Sequence, residues 1–190
     1  MKLSWFIYRD RYDAHAHGEA YGSQHVHHVC DDGCGESCAH DDAEVIFIPI
    51  NKSGYIDLNF LSELIKTRGD EIAVISVMHS NNELGALQPI SEVVKLAEKI
   101  PVHTDAVQSF GKVDFNFKEL GVSAATISAH KLGGPLGVAA LVLKHGIDLA
   151  PLLHGGGQER EIRSGTLNAP GIVAFAKAAE VACANREANF

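Results

Sequence analysis

The chain has 190 residues, of which 46% are hydrophobic and 21% charged, with a formal net charge of −8. Such a length and apolar content suffice for one domain with a real core. The acidic balance, with no basic run to offset it, argues against a nucleic-acid or anionic-membrane surface, and no apolar stretch reaches the length of a membrane span.

Residues 1 to 43 are rich in His, Cys, Asp and Gly and show neither helical nor strand periodicity. The opening Met1 to Asp10 carries too short an apolar run for a secretory signal, so a soluble cytoplasmic protein is the expectation. Three of the four cysteines, Cys30, Cys34 and Cys38, fall in this segment and read as thiols rather than disulfides. With His25, His27, His28 and His40 they form a cluster over 25–40 whose ligand types suit zinc, although the spacing matches no Cys-x-x-Cys pattern.

From Glu44 onward apolar runs alternate with amphipathic ones. Val45 to Ile50 is β-branched and short, as a strand should be. Asp57 stands where an N-cap belongs, ahead of Leu58, Leu61, Leu64 and Ile65 at helical spacing. Ile72 to Met78 reads as a buried strand, and Pro89 opens a helix with Ile90, Val93, Val94 and Ala97 on one face. Val102 to Thr104 is a strand ending at Asp105, Ala124 to Ser128 another ending before His130-Lys131, and Val138 to Leu143 a third. Ala169 to Ala184 is Ala-rich and helical, with Cys183 near its end as a packed apolar residue. Strands alternating with helices predict an α/β layer with a mostly parallel sheet, in which ligands bind at the carboxyl ends of strands.

Polar residues gather at those ends: His79-Ser80-Asn81-Asn82-Glu83, Asp105-Ala106-Val107-Gln108, and Ser128-Ala129-His130-Lys131 before Gly133-Gly134-Pro135. A lone lysine is ordinarily a solvated charge. Lys131 instead follows a strand and precedes a Gly-Gly-Pro turn, where burial can lower its pKa enough for a Schiff base. Pyridoxal 5'-phosphate (PLP) chemistry also needs a carboxylate beside the pyridine nitrogen, and Asp105 is the natural candidate, although alone it would read as a turn aspartate. A second Gly-rich run, His154 to Arg160, leads to Arg163-Ser164-Gly165-Thr166, where backbone N–H groups and hydroxyls can meet an anion. It lacks the Gly-Lys-Ser/Thr ending of a P-loop.

Together HSNNELG, HTDAVQS, ISAHKLGGPLG and HGGGQEREIRSGT resemble, in order and spacing, the cysteine desulfurases of the class V aminotransferase group, from about Glu44 to the C-terminus. The resemblance implies a partial large domain of the fold-type I PLP-dependent transferases over 44–190. In it Lys131 would hold PLP covalently and shuttle the substrate proton, and Asp105 would pair with the pyridine nitrogen. Gln108 would bond the phenolic oxygen, Ser128 and His130 the phosphate, and Thr166 a phosphate across a dimer interface. Asn82 would lie near the ring and the substrate carboxylate. The implied reaction converts L-cysteine to L-alanine and leaves a persulfide on an enzyme cysteine, for a sulfur-acceptor or scaffold protein in iron-sulfur cluster or thio-cofactor assembly. Departures accompany the likeness. Residues 1 to 43 contain no Ser/Gly-Thr-Glu-x-Asn phosphate loop, and His27-His28 stands near the place of the family's ring-stacking histidine without the helix that should follow; His28 is the candidate. The chain ends at Phe190, before the small domain that bears the family's persulfide cysteine and carboxylate-binding arginine. The expectation is a truncated desulfurase that does not sustain turnover alone; a non-enzymatic remnant of the α/β core and a metal-binding segment over 25–40 are the alternatives.

Overall fold

A computed structural model describes residues 6–10, 43–147, 149–151 and 153–189. The elements run β1 (Phe6–Asp10), β2 (Ala43–Phe47), α1 (Leu58–Arg68), β3 (Ile72–Met78), α2 (Ile90–Ala97), β4 (Val102–Asp105), α3 (Phe117–Leu120), β5 (Ala124–Ser128), β6 (Ala139–Leu143), α4 (Ala169–Ala184) and α5 (Arg186–Asn189). Asp57 caps α1 as expected, its carboxylate accepting from the N–H groups of Asn59 at 2.9 Å and Phe60 at 3.0 Å. Asn116 caps α3 in the same way, through the N–H groups of Lys118 and Glu119.

The six strands form one sheet in the order β2-β1-β3-β4-β5-β6. Its centre is parallel, β3 with β4 and β4 with β5, while β1 pairs antiparallel with β2 and β3, and β6 antiparallel with β5. The α/β class holds, and the sheet is mixed for a reason visible in chain length. The connections from β3 to β4 and from β4 to β5 carry helices, whereas only residues 129–138 separate β5 from β6. A parallel crossover needs a dozen residues or more, so the last strand must turn back. Strand β1 is the other departure. It lies inside a segment that shows no strand periodicity, yet it takes a central place between β2 and β3.

Side chains alternate across the central strands. Ile75, Val77, Val102 and Ala125 are buried on one face, under Leu61 of α1 and Ile90, Val93 and Ala97 of α2. Burial of each large aliphatic side chain in that cluster contributes about 1.5–3 kcal/mol. A second cluster joins Ala129 and Val138, which flank the β5–β6 connection, to Phe175 of α4. The buried stripe of α4 runs through Gly171 and Phe175. Cys183 is off that stripe and exposed, so the expectation of a packed thiol is corrected.

Candidate active site at the ends of the parallel strands

Because β3, β4 and β5 are parallel neighbours, their carboxyl ends lie side by side: Met78 pairs with Asp105, and Asp105 with Thr126. Three chemically rich segments therefore leave one edge of the sheet. After β4, Asp105 Oδ1 accepts the N–H of Val107 at 2.8 Å, which folds the chain into a tight turn and fixes the carboxylate at the strand end. The backbone continues through half-buried Gln108, whose Oε1 lies 3.4 Å from Lys112 Nζ.

After β5 the backbone enters a single 3-10 turn, Ala129–Leu132, closed by Gly133 at φ +77°. Ala129 is fully buried and donates to Val138 O at 3.0 Å, and Gly134 N returns to Ala129 O at 2.9 Å. His130 and Lys131 project from this anchored turn, both exposed. Ser128 Oγ and His130 Nδ1 are 2.7 Å apart. Exposure of Lys131 corrects the expectation of a buried amine: the described residues anchor the turn beneath it but do not cover its side chain.

After β3 the chain makes a looped excursion, Ser80 bridging Leu87 and Asn81 N donating to Ala86 O at 3.0 Å. Asn81 is buried, and its Oδ1 accepts from the N–H groups of Glu83 at 3.0 Å and Leu84 at 2.7 Å. Its Nδ2, among the described residues, is a buried side-chain donor without a partner. Asn82 beside it is exposed.

Beneath the edge, on the sheet face opposite the aliphatic cluster, a polar row crosses three strands. His103 Nδ1 lies 2.8 Å from Ser76 Oγ, and its Nε2 lies 2.8 Å from Thr126 Oγ1. Burial pushes the His103 pKa below its ordinary value, partly opposed by the charge of Asp105. Sequence reasoning missed this row; the available signal was a histidine at i−2 from the candidate aspartate, on the same strand face.

Thr166 is exposed on the second Gly-rich loop. Among the described residues that loop bonds within itself, Gly157 N donating to Ser164 Oγ at 3.3 Å and Gly165 N to Gln158 Oε1 at 3.0 Å. The structure thus gathers Asn82, Asp105, Gln108, Ser128, His130 and Lys131 at one sheet edge, with Thr166 on a separate loop. His28 and the His/Cys cluster over 25–40 lie outside the described residues. Concavities of about 360 Å³ beside Asn51 and Asn59, and about 340 Å³ around Val102, Ser123 and Lys144, are lined by none of these residues. The second is at the amino ends of β4 and β5, where no such set of groups converges.

The donor set fits PLP: an amine for its aldehyde, a fixed carboxylate for a protonated ring nitrogen, an amide for the phenolic oxygen, and a hydroxyl–imidazole pair for the phosphate.

The model for class-V aminotransferases matches residues 24–189. An IscS-like cysteine desulfurase of Mycobacterium tuberculosis is 39% identical over 186 residues, 96% of this chain and 47% of that protein. The cysteine desulfurase IscS of Dictyoglomus turgidum is 44% identical over 141 residues, 73% of this chain and 35% of that one. Among solved structures, a NifS-like protein superposes with a TM-score of 0.71 at 40% identity, over 75% of this chain and 39% of its own. SspA in complex with cysteine superposes with a TM-score of 0.65 at 38% identity, over 70% of this chain and 39% of its own. The chain thus spans between about a third and a half of these relatives.

Proposed function

The chain belongs to the class-V aminotransferase family, and from that membership we propose that it is the cofactor-holding part of a PLP-dependent cysteine desulfurase. The observation that carries this reading is the convergence of Lys131, Asp105 and the Ser128–His130 pair at the carboxyl ends of two adjacent parallel strands, β4 and β5. The substrate is L-cysteine, the products L-alanine and a sulfur that passes to an enzyme thiolate and on to an acceptor or scaffold protein. Homodimer formation, a cytoplasmic location and a place in iron-sulfur cluster or thio-cofactor assembly belong to the same proposal. No helix among the described residues is long and apolar enough to cross a membrane.

When bound, PLP supplies an electron sink for the carbon that bears the substrate amine. The rest falls to side chains. The Asp105 carboxylate, held at the strand end by Val107 N–H, keeps a proton on the pyridine nitrogen. Gln108 would donate to the phenolic oxygen, and Asn82 would orient the substrate carboxylate. Ser128 and His130 would bind the phosphate. The Lys131 amine would hold the cofactor and would move the proton at the substrate α-carbon. Thr166 would serve the phosphate of a second subunit. Positioning of this kind removes much of the entropic barrier that loose reactants would face.

Labelling of the full chain tests the reading. PLP should give a visible absorption band, and borohydride should fix the cofactor on Lys131 alone, with both lost in Lys131→Ala. Peptide mapping that finds label spread over surface lysines, or unchanged in that variant, would defeat it.

A further inference from the structure

His79 is 7% exposed and makes contacts to three different segments. Its backbone N–H donates to Asp105 O at 2.8 Å, and its own carbonyl accepts from Gln88 N at 2.8 Å. Its ring nitrogen Nδ1 lies 2.8 Å from Ser109 Oγ. The ring meets Phe115 edge to face, with centroids 5.4 Å apart, and Phe115 in turn meets Phe110 at 5.7 Å. Ser109 is 1% exposed, donates its backbone N–H to Ala106 O at 3.1 Å and accepts from Lys112 N and Val113 N. One residue therefore grips the turn after β4 at both ends, by backbone at Asp105 and by imidazole at Ser109, and Gln108 lies inside the grip. A histidine that only filled space would bury a polar ring at a cost that an aliphatic side chain avoids. The bond to Ser109 gives the ring a use.

We propose that His79 is a positioning residue, a clamp that holds the Asp105–Ser109 turn so that the Asp105 carboxylate and the Gln108 amide face the cofactor ring in fixed geometry. This rests on the PLP reading for its purpose, whereas the clamp itself is a property of the cofactor-free chain. As a clamp His79 need touch neither cofactor nor substrate. It acts through Asp105 and Ser109.

The test uses the full chain with His79→Leu, Ser109→Ala, the double variant and His79→Asn, whose side-chain amide keeps a group within reach of Ser109. PLP affinity is read by titration of the visible band, and amide exchange of Val107 and His79 by NMR without cofactor. His79→Leu and Ser109→Ala should each raise the Kd for PLP about tenfold, the effect of one lost hydrogen bond. The double variant should lose less than the two singles added together, because both remove the His79–Ser109 bond, while Ser109→Ala also loses its Oγ bond to Ala106 O. His79→Asn should stay within about threefold of the parent. Val107 exchange should accelerate in His79→Leu and Ser109→Ala, and return toward the parent in His79→Asn. Because Ser109→Ala removes only one oxygen, it keeps the test open if His79→Leu does not fold. Unchanged Val107 exchange, or no recovery in His79→Asn, overturns the clamp. If the parent chain takes up no PLP, the cofactor reading falls, and the exchange data still decide the clamp.

Discussion

Ser128 Oγ and His130 Nδ1 lie 2.7 Å apart although one residue ends a strand and the other sits in the turn that follows. The 3-10 turn folds the backbone back at once, so a hydroxyl and an imidazole are set side by side before any ligand arrives. Such a pair suits a phosphate, where hydrogen bonds to a charged group each contribute about 1.5–3 kcal/mol.

If the pair binds the cofactor phosphate, affinity for PLP relative to phosphate-free pyridoxal reports on it. Ser128→Ala and His130→Ala should each lower that ratio by about tenfold to a hundredfold, with pyridoxal affinity nearly constant. Equal losses for both ligands would place the pair elsewhere in the site's work.

Asp105→Asn separates charge from shape. Asparagine Oδ1 can still accept the Val107 N–H, now made at 2.8 Å, so the turn should survive. The free energy of unfolding should stay within about 0.5 kcal/mol of the parent. If Asp105 pairs with the ring nitrogen, PLP affinity should fall about tenfold and the visible band should shift. Cofactor affinity and spectrum identical to the parent would make Asp105 a turn residue only.

His79 and His103 are both held below the ordinary histidine pKa by burial. As pH falls below about 6.5, the unfolded chain takes up protons at these rings while the folded chain resists. The unfolded state then binds more protons, so stability rises with pH across the window between the lowered folded value and about 6.5, and is lost on acidification through it. Urea midpoints from pH 8 to 5 should show this loss, and His103→Asn should show less of it. An identical pH dependence in that variant would mean that His103 carries none of the effect.

Gly134 is where the turn bearing Lys131 passes beneath α4. A Cβ there would stand 2.9 Å from Ala129 O and 3.1 Å from the Cβ atoms of Ala129 and Ala178. Because one of these contacts is backbone, no flexible tip can yield. Gly134→Ala should cost about 1–3 kcal/mol of stability and should lower borohydride labelling of Lys131 in the molecules that stay folded. Full stability with full labelling would show that turn and helix move apart freely.

From residue 44 onward the amino-acid order alone determined most of the local structure, because periodicity and caps are local properties. Ile72–Met78 and Ala169–Ala184 have the bounds their apolar runs predict, and Asp57 caps the helix it precedes. The strand-end placement of Asn82, Asp105, Gln108, Ser128, His130 and Lys131 was also legible, since the carboxyl ends of strands in an α/β layer are where polar groups can converge. Only the tertiary structure decided that β6 turns back, that Phe6–Asp10 enters the sheet between β2 and β3, that Cys183 faces outward and that Lys131 is exposed. It alone joined Ser76 to His103 and Thr126, and His79 to Ser109, residues 23 to 30 positions apart. Strand order and facing depend on which segments pair across the sheet, and a hydrogen bond between distant side chains leaves no periodic trace in the chain that makes it.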